Sequence, residues 1–142
     1  MGSIAVQSKE TVMKWIAKYG AEKIILGADV RDEKIAINGW EEQSSVDLFD
    51  FLENYKEAGI EYVICTDIAK DGMLQGSSMS LYIKILQQFP SLKLIASGGV
   101  SSVQEIQDLE NSKLFGAIVG KAIYEEKILL ADLIHLQNRN RC

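Results

Sequence analysis

Leu92-Lys93-Leu94-Ile95-Ala96-Ser97-Gly98-Gly99-Val100 and its echo, Phe115-Gly116-Ala117-Ile118-Val119-Gly120-Lys121-Ala122, decide how this chain reads. Each is a short apolar run that stops at glycine and leads into helix-like sequence. A continuous apolar run of strand length, bounded by turn residues, suits a strand buried on both faces. Glycine at the strand's end lets backbone N–H groups approach an oxyanion with no side chain in the way. One such loop by itself reads as a tight turn. Two on successive strands, beside a helix start, form the phosphate cradle found after the last two strands of many (β/α) barrels.

Outward from this pair, the chain punctuates itself at similar intervals. Lys23–Ala28 is an apolar strand ending at Asp29, and Tyr62–Thr66 is another followed by Asp67. Ser8 heads a helix whose apolar face is Val12, Trp15, Ile16 and Tyr19, and Gly20 stops it. Val30–Ile37 alternates around Arg31-Asp32-Glu33-Lys34 as a small hairpin, closed by Asn38-Gly39-Trp40. Ser44 or Ser45 caps a helix carrying Leu48, Phe51, Leu52 and Tyr55. Met79–Phe89 is a third helix, which Pro90 forbids to continue. Helices over Ser102–Leu109 and Glu126–Gln137 complete the series. Gly2-Ser3-Ile4-Ala5-Val6 reads as the end of a strand with no strand before it. A leading helix followed by four strand–helix units predicts right-handed crossovers and a parallel sheet of four strands, an α/β fold.

The chain has 142 residues, room for one domain. It is 47% hydrophobic and 25% charged, which excludes the disordered class. No apolar run reaches the roughly 18–20 residues that span a bilayer, so no membrane partner is expected. Neither is secretion, because no basic segment precedes an apolar one at the N-terminus. Two cysteines, Cys65 and Cys142, make no disulfide framework and fit a reduced, cytoplasmic setting. The net charge of −5 argues against nucleic acid and means that a bound phosphate would be held by local dipoles and a few placed side chains.

Several residues at strand ends could carry chemistry. Asp29 is a general acid or base, or else it caps its own turn. Thr66 orients a substrate atom, or packs as a β-branched strand residue. Asp71-Gly72 is a turn first and a ligand second. Trp40 stacks on a planar ring or packs as a lid on the rim. Lys121 meets a phosphate or is simply solvated. One histidine, His135, and two distant cysteines can supply neither a zinc site nor a nucleophilic triad, so no metal is expected. The Gly-x-Gly-x-x-Gly dinucleotide signature is absent.

With those residues in hand, the chain resembles the ProFAR isomerases (phosphoribosylformimino-aminoimidazole carboxamide ribotide isomerases) of histidine biosynthesis. The matching stretches are Gly2–Val6, Gly27-Ala28-Asp29, Asn38-Gly39-Trp40, Thr66–Gly76, Ser97-Gly98-Gly99-Val100 and Ile118–Ala122, in order. The resemblance implies an enzyme, a pseudo-twofold (β/α)8 barrel that performs an Amadori rearrangement of an aminoaldose without metal or organic cofactor. Its substrate is a small molecule with two phosphates, one held by each half. Carried over, Asp29 resembles the proton donor that opens the ribose ring and Thr66 the threonine assisting it. Gly98, Gly99, Gly120 and Lys121 match the second-half phosphate loops, and Asp71 and Gly72 fall in the matching Thr66–Gly76 loop. Gly2 and Ser3 match the end of the fourth strand, part of the first-half phosphate site, and Trp40 falls in the matching Asn38-Gly39-Trp40 closure.

On this resemblance residues 1–142 are a single (β/α)4 half-barrel, beginning at the end of the fourth strand. The first-strand general base lies outside it. Gly76-Ser77-Ser78 varies from the family pattern. A half-barrel leaves open edges and a bare inner face, so self-association and low activity alone are expected. The alternatives are the related imidazole glycerol phosphate synthase cyclase, which usually has a longer insertion after the Asp29 strand, and a non-catalytic phosphate-binding fragment.

Overall fold

The computed structural model describes residues 2–139; Met1 and Cys142 lie outside the described residues. Parallel strands β1 (Ile25–Arg31), β4 (Tyr62–Asp67), β5 (Lys93–Ser97) and β6 (Gly116–Ala117) lie side by side in that order. Two antiparallel strands, β2 (Lys34–Ile37) and β3 (Glu42–Asp47), extend the sheet beyond β1, giving six strands in the order β3-β2-β1-β4-β5-β6. Helices α3 (Leu48–Glu57), α4 (Met79–Gln88) and α5 (Val103–Asn111) are the crossovers. The result is an α/β sheet with flanking helices, a partial barrel-like arrangement.

Strand period two decides which face the helices cover. Leu26, Ala28 and Val30 of β1, Val63 and Cys65 of β4, and Leu94 and Ala96 of β5 are buried. They join Phe51, Leu52 and Tyr55 of α3 and Tyr82 and Ile85 of α4 in one core. Each such large side chain contributes about 1.5–3 kcal/mol by leaving water. The alternate positions, among them Gly27, Asp29, Ile64, Ile95 and Ser97, are only partly covered. The opposite face of the sheet is therefore the more open one.

The expected hairpin forms, with Val30 opposite Ile35 and Arg31 opposite Lys34. The helix ending before Pro90 also forms. Elsewhere the structure corrects the sequence expectations. Gly2–Val6 is not a strand end: Ser3–Gln7 is a short helix, α1. With no strand beside it, the segment satisfies its backbone internally, Ala5 N–H donating to Gly2 O (2.8 Å) and Ser8 N–H to Ile4 O (2.9 Å). Ser8 does precede α2 (Lys9–Tyr19), but its hydroxyl bonds to the Thr11 hydroxyl (2.7 Å) and caps no amide.

Neither Ser44 nor Ser45 caps α3. Asp47 does, its carboxylate accepting from Phe49 N–H (2.8 Å) and Asp50 N–H (3.3 Å), and Ser44 is held in β3 with its hydroxyl on Ile35 O (2.7 Å). Asn38-Gly39-Trp40 therefore does not close a two-stranded hairpin but turns β2 into a third strand. The first parallel strand runs two residues past Asp29, after a 3₁₀ turn at Ala21–Lys23. The echo strand shrinks to Gly116–Ala117. The last helix starts later, α7 (Leu130–Arg139), after a single turn, α6 (Lys121–Tyr124).

Candidate functional site

Register brings the strand-end residues into one row. Asp29 pairs with Thr66, and Thr66 pairs with Ser97. Adjacent strands lie about 4.8 Å apart, so the row spans about 10 Å from Asp29 to Ser97. The two ends of this row lead to two clusters.

At the Asp29 end, the indole N–H of Trp40 donates to Asp29 Oδ2 at 2.9 Å. Trp40 sits at a positive φ of 75°, in the β2–β3 turn, and is 40% exposed. Ser3 joins it through Asn38, whose N–H donates to Ser3 Oγ (3.1 Å), while Gln7 Nε2 donates to Asn38 Oδ1 (2.7 Å). Ser3 thus meets the Trp40 loop even though its segment is helical. Gly2 precedes that helix. Thr66 is buried between the clusters.

At the Ser97 end is a polar cavity of about 210 Å³ lined by Asp71, Gly72, Gly98, Gly99, Gly120 and Lys121, with Ser97 and Ile118. The four expected phosphate-loop residues, Gly98, Gly99, Gly120 and Lys121, meet here, with the Asp71-Gly72 turn beside them. Gly98 and Gly99 have φ of 91° and 79°, a left-handed backbone that only glycine takes at low cost. Packing demands them as well: a Cβ on Gly98 would lie 2.9 Å from Asp67 O, and one on Gly99 would collide with Gly76 O. Among the described residues, the N–H groups of Gly98, Gly99, Val100 and Gly120 donate no hydrogen bond. Successive unbonded amides lining a cavity suit an anion. Lys121 Nζ donates to Gly72 O (3.0 Å), drawing the Asp71-Gly72 turn to the cavity's edge and adding a positive charge there.

Two carboxylates to which the sequence reading gave no such role organise these loops. Asp67 accepts from Ala69 N–H at 3.0 Å and from the Ser78 hydroxyl, turning β4 into the loop that carries Asp71. Glu105, in the first turn of α5, accepts from Ser77 N–H, Ser101 N–H (3.0 Å) and the Ser101 hydroxyl (3.2 Å). Burial works to raise the Glu105 carboxyl, but these donors together outweigh it and hold the group below its ordinary value. The Ser102-x-x-Glu105 spacing signals only a helix start: Ser102 caps the Glu105 amide, while the carboxylate goes to the two loops.

Cys65 is fully buried beneath the row; burial first, then the charges of Asp67 and Asp29, push its thiol far up. Tyr82 donates its hydroxyl to Ser97 O (2.9 Å) and is likewise raised, chiefly by burial. Another cavity, of about 240 Å³, lies between α5 and α7 and along β6; Leu109, Leu114, Leu133 and Leu136 line it, and none of Asp29, Thr66 and Ser97 does. Among the described residues, no group of three or more His, Cys, Asp or Glu side chains could hold a metal ion, and no helix is long and apolar enough to cross a membrane.

A family model described as "Histidine biosynthesis protein" matches residues 1–129. The chain is 57% identical over 132 residues to a Flavobacterium johnsoniae protein, covering 93% of this chain and 55% of the relative. It is 53% identical over 133 residues to one from Phocaeicola vulgatus, covering 94% and 56%. A Bacteroides thetaiotaomicron relative is 54% identical over 132 residues, covering 93% and 55%. Each relative is named 1-(5-phosphoribosyl)-5-((5-phosphoribosylamino)methylideneamino) imidazole-4-carboxamide isomerase. The chain spans about half the length of the curated relatives it matches.

Proposed function

The chain belongs to the histidine biosynthesis protein family, and from that premise we propose that it carries one half of an isomerase site. The substrate is a bis-phosphorylated aminoaldose, since the relatives' name contains two phosphoribosyl groups. In this reading residues 1–142 are a (β/α)4 half-barrel whose four parallel strands are the last four of eight.

The observation that carries the reading is the row Asp29–Thr66–Ser97, which runs directly into the unbonded amides of Gly98 and Gly99. One phosphate of the substrate sits on Gly98, Gly99 and Gly120, with Lys121 beside it. Asp71 and Gly72 border that phosphate. The ribose at the other end lies near Asp29, which protonates the ring oxygen as the C1–O bond breaks. Thr66 holds the substrate from the centre of the row, and Trp40 covers the reacting sugar. A general base from the other half then takes the C2 proton, and tautomerisation gives the aminoketose. Gly2 and Ser3 contribute to the second phosphate's site. No cofactor is required by this sequence of proton transfers, and the setting is cytoplasmic.

Alone, the chain binds phosphate but turns over poorly, because the base is supplied by the other half. Its open face and the exposed Phe115 and Ile118 at the β6 edge favour pairing with a second copy when no first half is present. Light scattering at micromolar concentration tests this; a stable monomer would refute it. The relatives' names favour the isomerase over the cyclase.

The deciding experiment mixes this chain with the separately produced first half of the Flavobacterium johnsoniae relative and follows isomerisation. Restored turnover supports the reading. An assembled complex that binds phosphate at Gly98-Gly99 without isomerising would reduce the chain to a binding module.

A further inference from the structure

Glu105 does more than a helix cap requires. It is the third residue of α5, and its own N–H donates to the hydroxyl of the N-cap residue Ser102 at 3.2 Å. In an ordinary capping box the carboxylate would reach back to the N-cap amide. Here it reaches past Ser102. One oxygen accepts from Ser77 N–H in the β4–α4 loop, and the other accepts from the amide and hydroxyl of Ser101 in the β5–α5 loop. Capping explains the bond to Ser102, but it does not explain a bond to a loop 28 residues earlier in the chain.

We propose that Glu105 is a positioning residue for the anion cradle: by strapping the Gly76–Ser78 loop to the Gly98–Ser101 loop, it holds Gly98–Val100 in the curvature that leaves their amides free for a phosphate. This rests on reading the cavity as a phosphate site. The strap lies beside a second stitch, Gly76 N–H to Gly99 O at 3.1 Å, and Gly76 and Gly99 pack so closely that only glycine fits at 99. The two loops therefore shift together or not at all. A carboxylate near an anion site would ordinarily oppose the ligand. This one is engaged by three hydrogen-bond donors, so its charge is directed into the loops and not into the cavity. Neither Asp nor Gln serves equally: Asp is one methylene too short to reach both loops, and Gln has a single acceptor oxygen where two are used.

The test is titration of inorganic phosphate into ¹⁵N-labelled protein, reading the amide signals of Gly98, Gly99 and Gly120. In the wild type all three move saturably. In Glu105→Gln the phosphate Kd rises about tenfold, as expected for the loss of a charge-assisted bond. The Gly98 and Gly99 signals are already displaced before phosphate is added, while Gly120, on the other loop, stays in place. Glu105→Asp keeps the charge at the helix start and behaves like Glu105→Gln; recovery of wild-type affinity would show that charge and not reach matters, and would overturn the strap. So would a Glu105→Gln protein that binds phosphate as tightly as the wild type. A wild type in which none of the three glycines responds would instead overturn the phosphate reading itself, and this inference with it.

A measurement on the wild type alone covers the case in which the variants do not fold. Coupling is reciprocal, so phosphate at saturation slows hydrogen exchange of the Ser77 amide by about fivefold or more. Unchanged exchange at Ser77, with phosphate bound, would refute the proposal.

Discussion

Trp40 donates its indole N–H to Asp29 Oδ2 at 2.9 Å, so the carboxyl group proposed as proton donor is already engaged at the rim before any substrate arrives. A sugar oxygen that takes its proton from Asp29 must approach alongside this indole or displace it. Asp29→Asn keeps the shape and the capacity to meet Trp40 but has no acidic proton. In the completed barrel we expect isomerisation to fall by about 10²–10⁴. Phosphate binding at Gly98-Gly99, two strands away, stays within about twofold because distant sites act independently. Steady-state kinetics beside the amide titration separates the two effects. Equal loss of both would show that Asp29 is structural.

Glycine is required at 99 by conformation and by space together. Its φ is 79°, and an added methyl would collide with Gly76 O. We expect Gly99→Ala to destabilise the chain by about 2–4 kcal/mol, the range for backbone strain combined with overpacking. Gly116→Ala is the control: its φ is not in the left-handed region and nothing lies within 4 Å of the added carbon. Its stability change should stay below about 1 kcal/mol. Urea unfolding of the pair measures the difference.

The glycine loops were legible in the sequence because two glycine-ended apolar runs in succession leave few alternatives. So were the parallel strands, since each carries its own apolar pattern and turn residues. β3 was not, because Glu42–Asp47 has no alternation of its own. It forms because the Asn38-Gly39-Trp40 turn lays it on β2, with Ala36 opposite Gln43, and Ser44 bonds across to Ile35. Use of Ser44 there passes the cap of α3 to Asp47. Gly2–Val6 departs from a strand end for a related reason: five residues have no strong preference alone, and tertiary partners decide between helix and strand. The roles of Asp67 and Glu105 were out of reach because their partners lie in loops, and spacing does not reveal which loops meet.

One of those tertiary partners can be tested directly. The buried hydroxyl of Tyr55 donates to Ala5 O at 2.7 Å, tying α3 to α1. Tyr55→Phe keeps the ring and its edge-to-face contact with Phe51 but removes that bond. The expected cost is about 1 kcal/mol. Hydrogen exchange should speed up across residues 3–7 and little elsewhere. Loss spread evenly over the whole sheet would mean that Tyr55 acts through the core and not through α1.

Acid stability provides a last check on the Glu105 strap, independent of any ligand. Burial favours the neutral carboxyl, but the donors from Ser77 and Ser101 win and hold the folded-state pKa below its ordinary value. In the unfolded chain the group titrates at its ordinary value of about 4.5. A depressed folded pKa means that the unfolded chain takes up the proton first as the pH falls. The contribution to stability is therefore complete above that unfolded value, and it drains away as the pH drops through the folded one. Wild-type minus Glu105→Gln stability, from urea unfolding at a series of pH values, should be flat above about pH 5.5 and shrink below about pH 4. A difference that stays constant to the acid limit would show that Glu105 acts only through packing, with no charge-dependent hold on the loops.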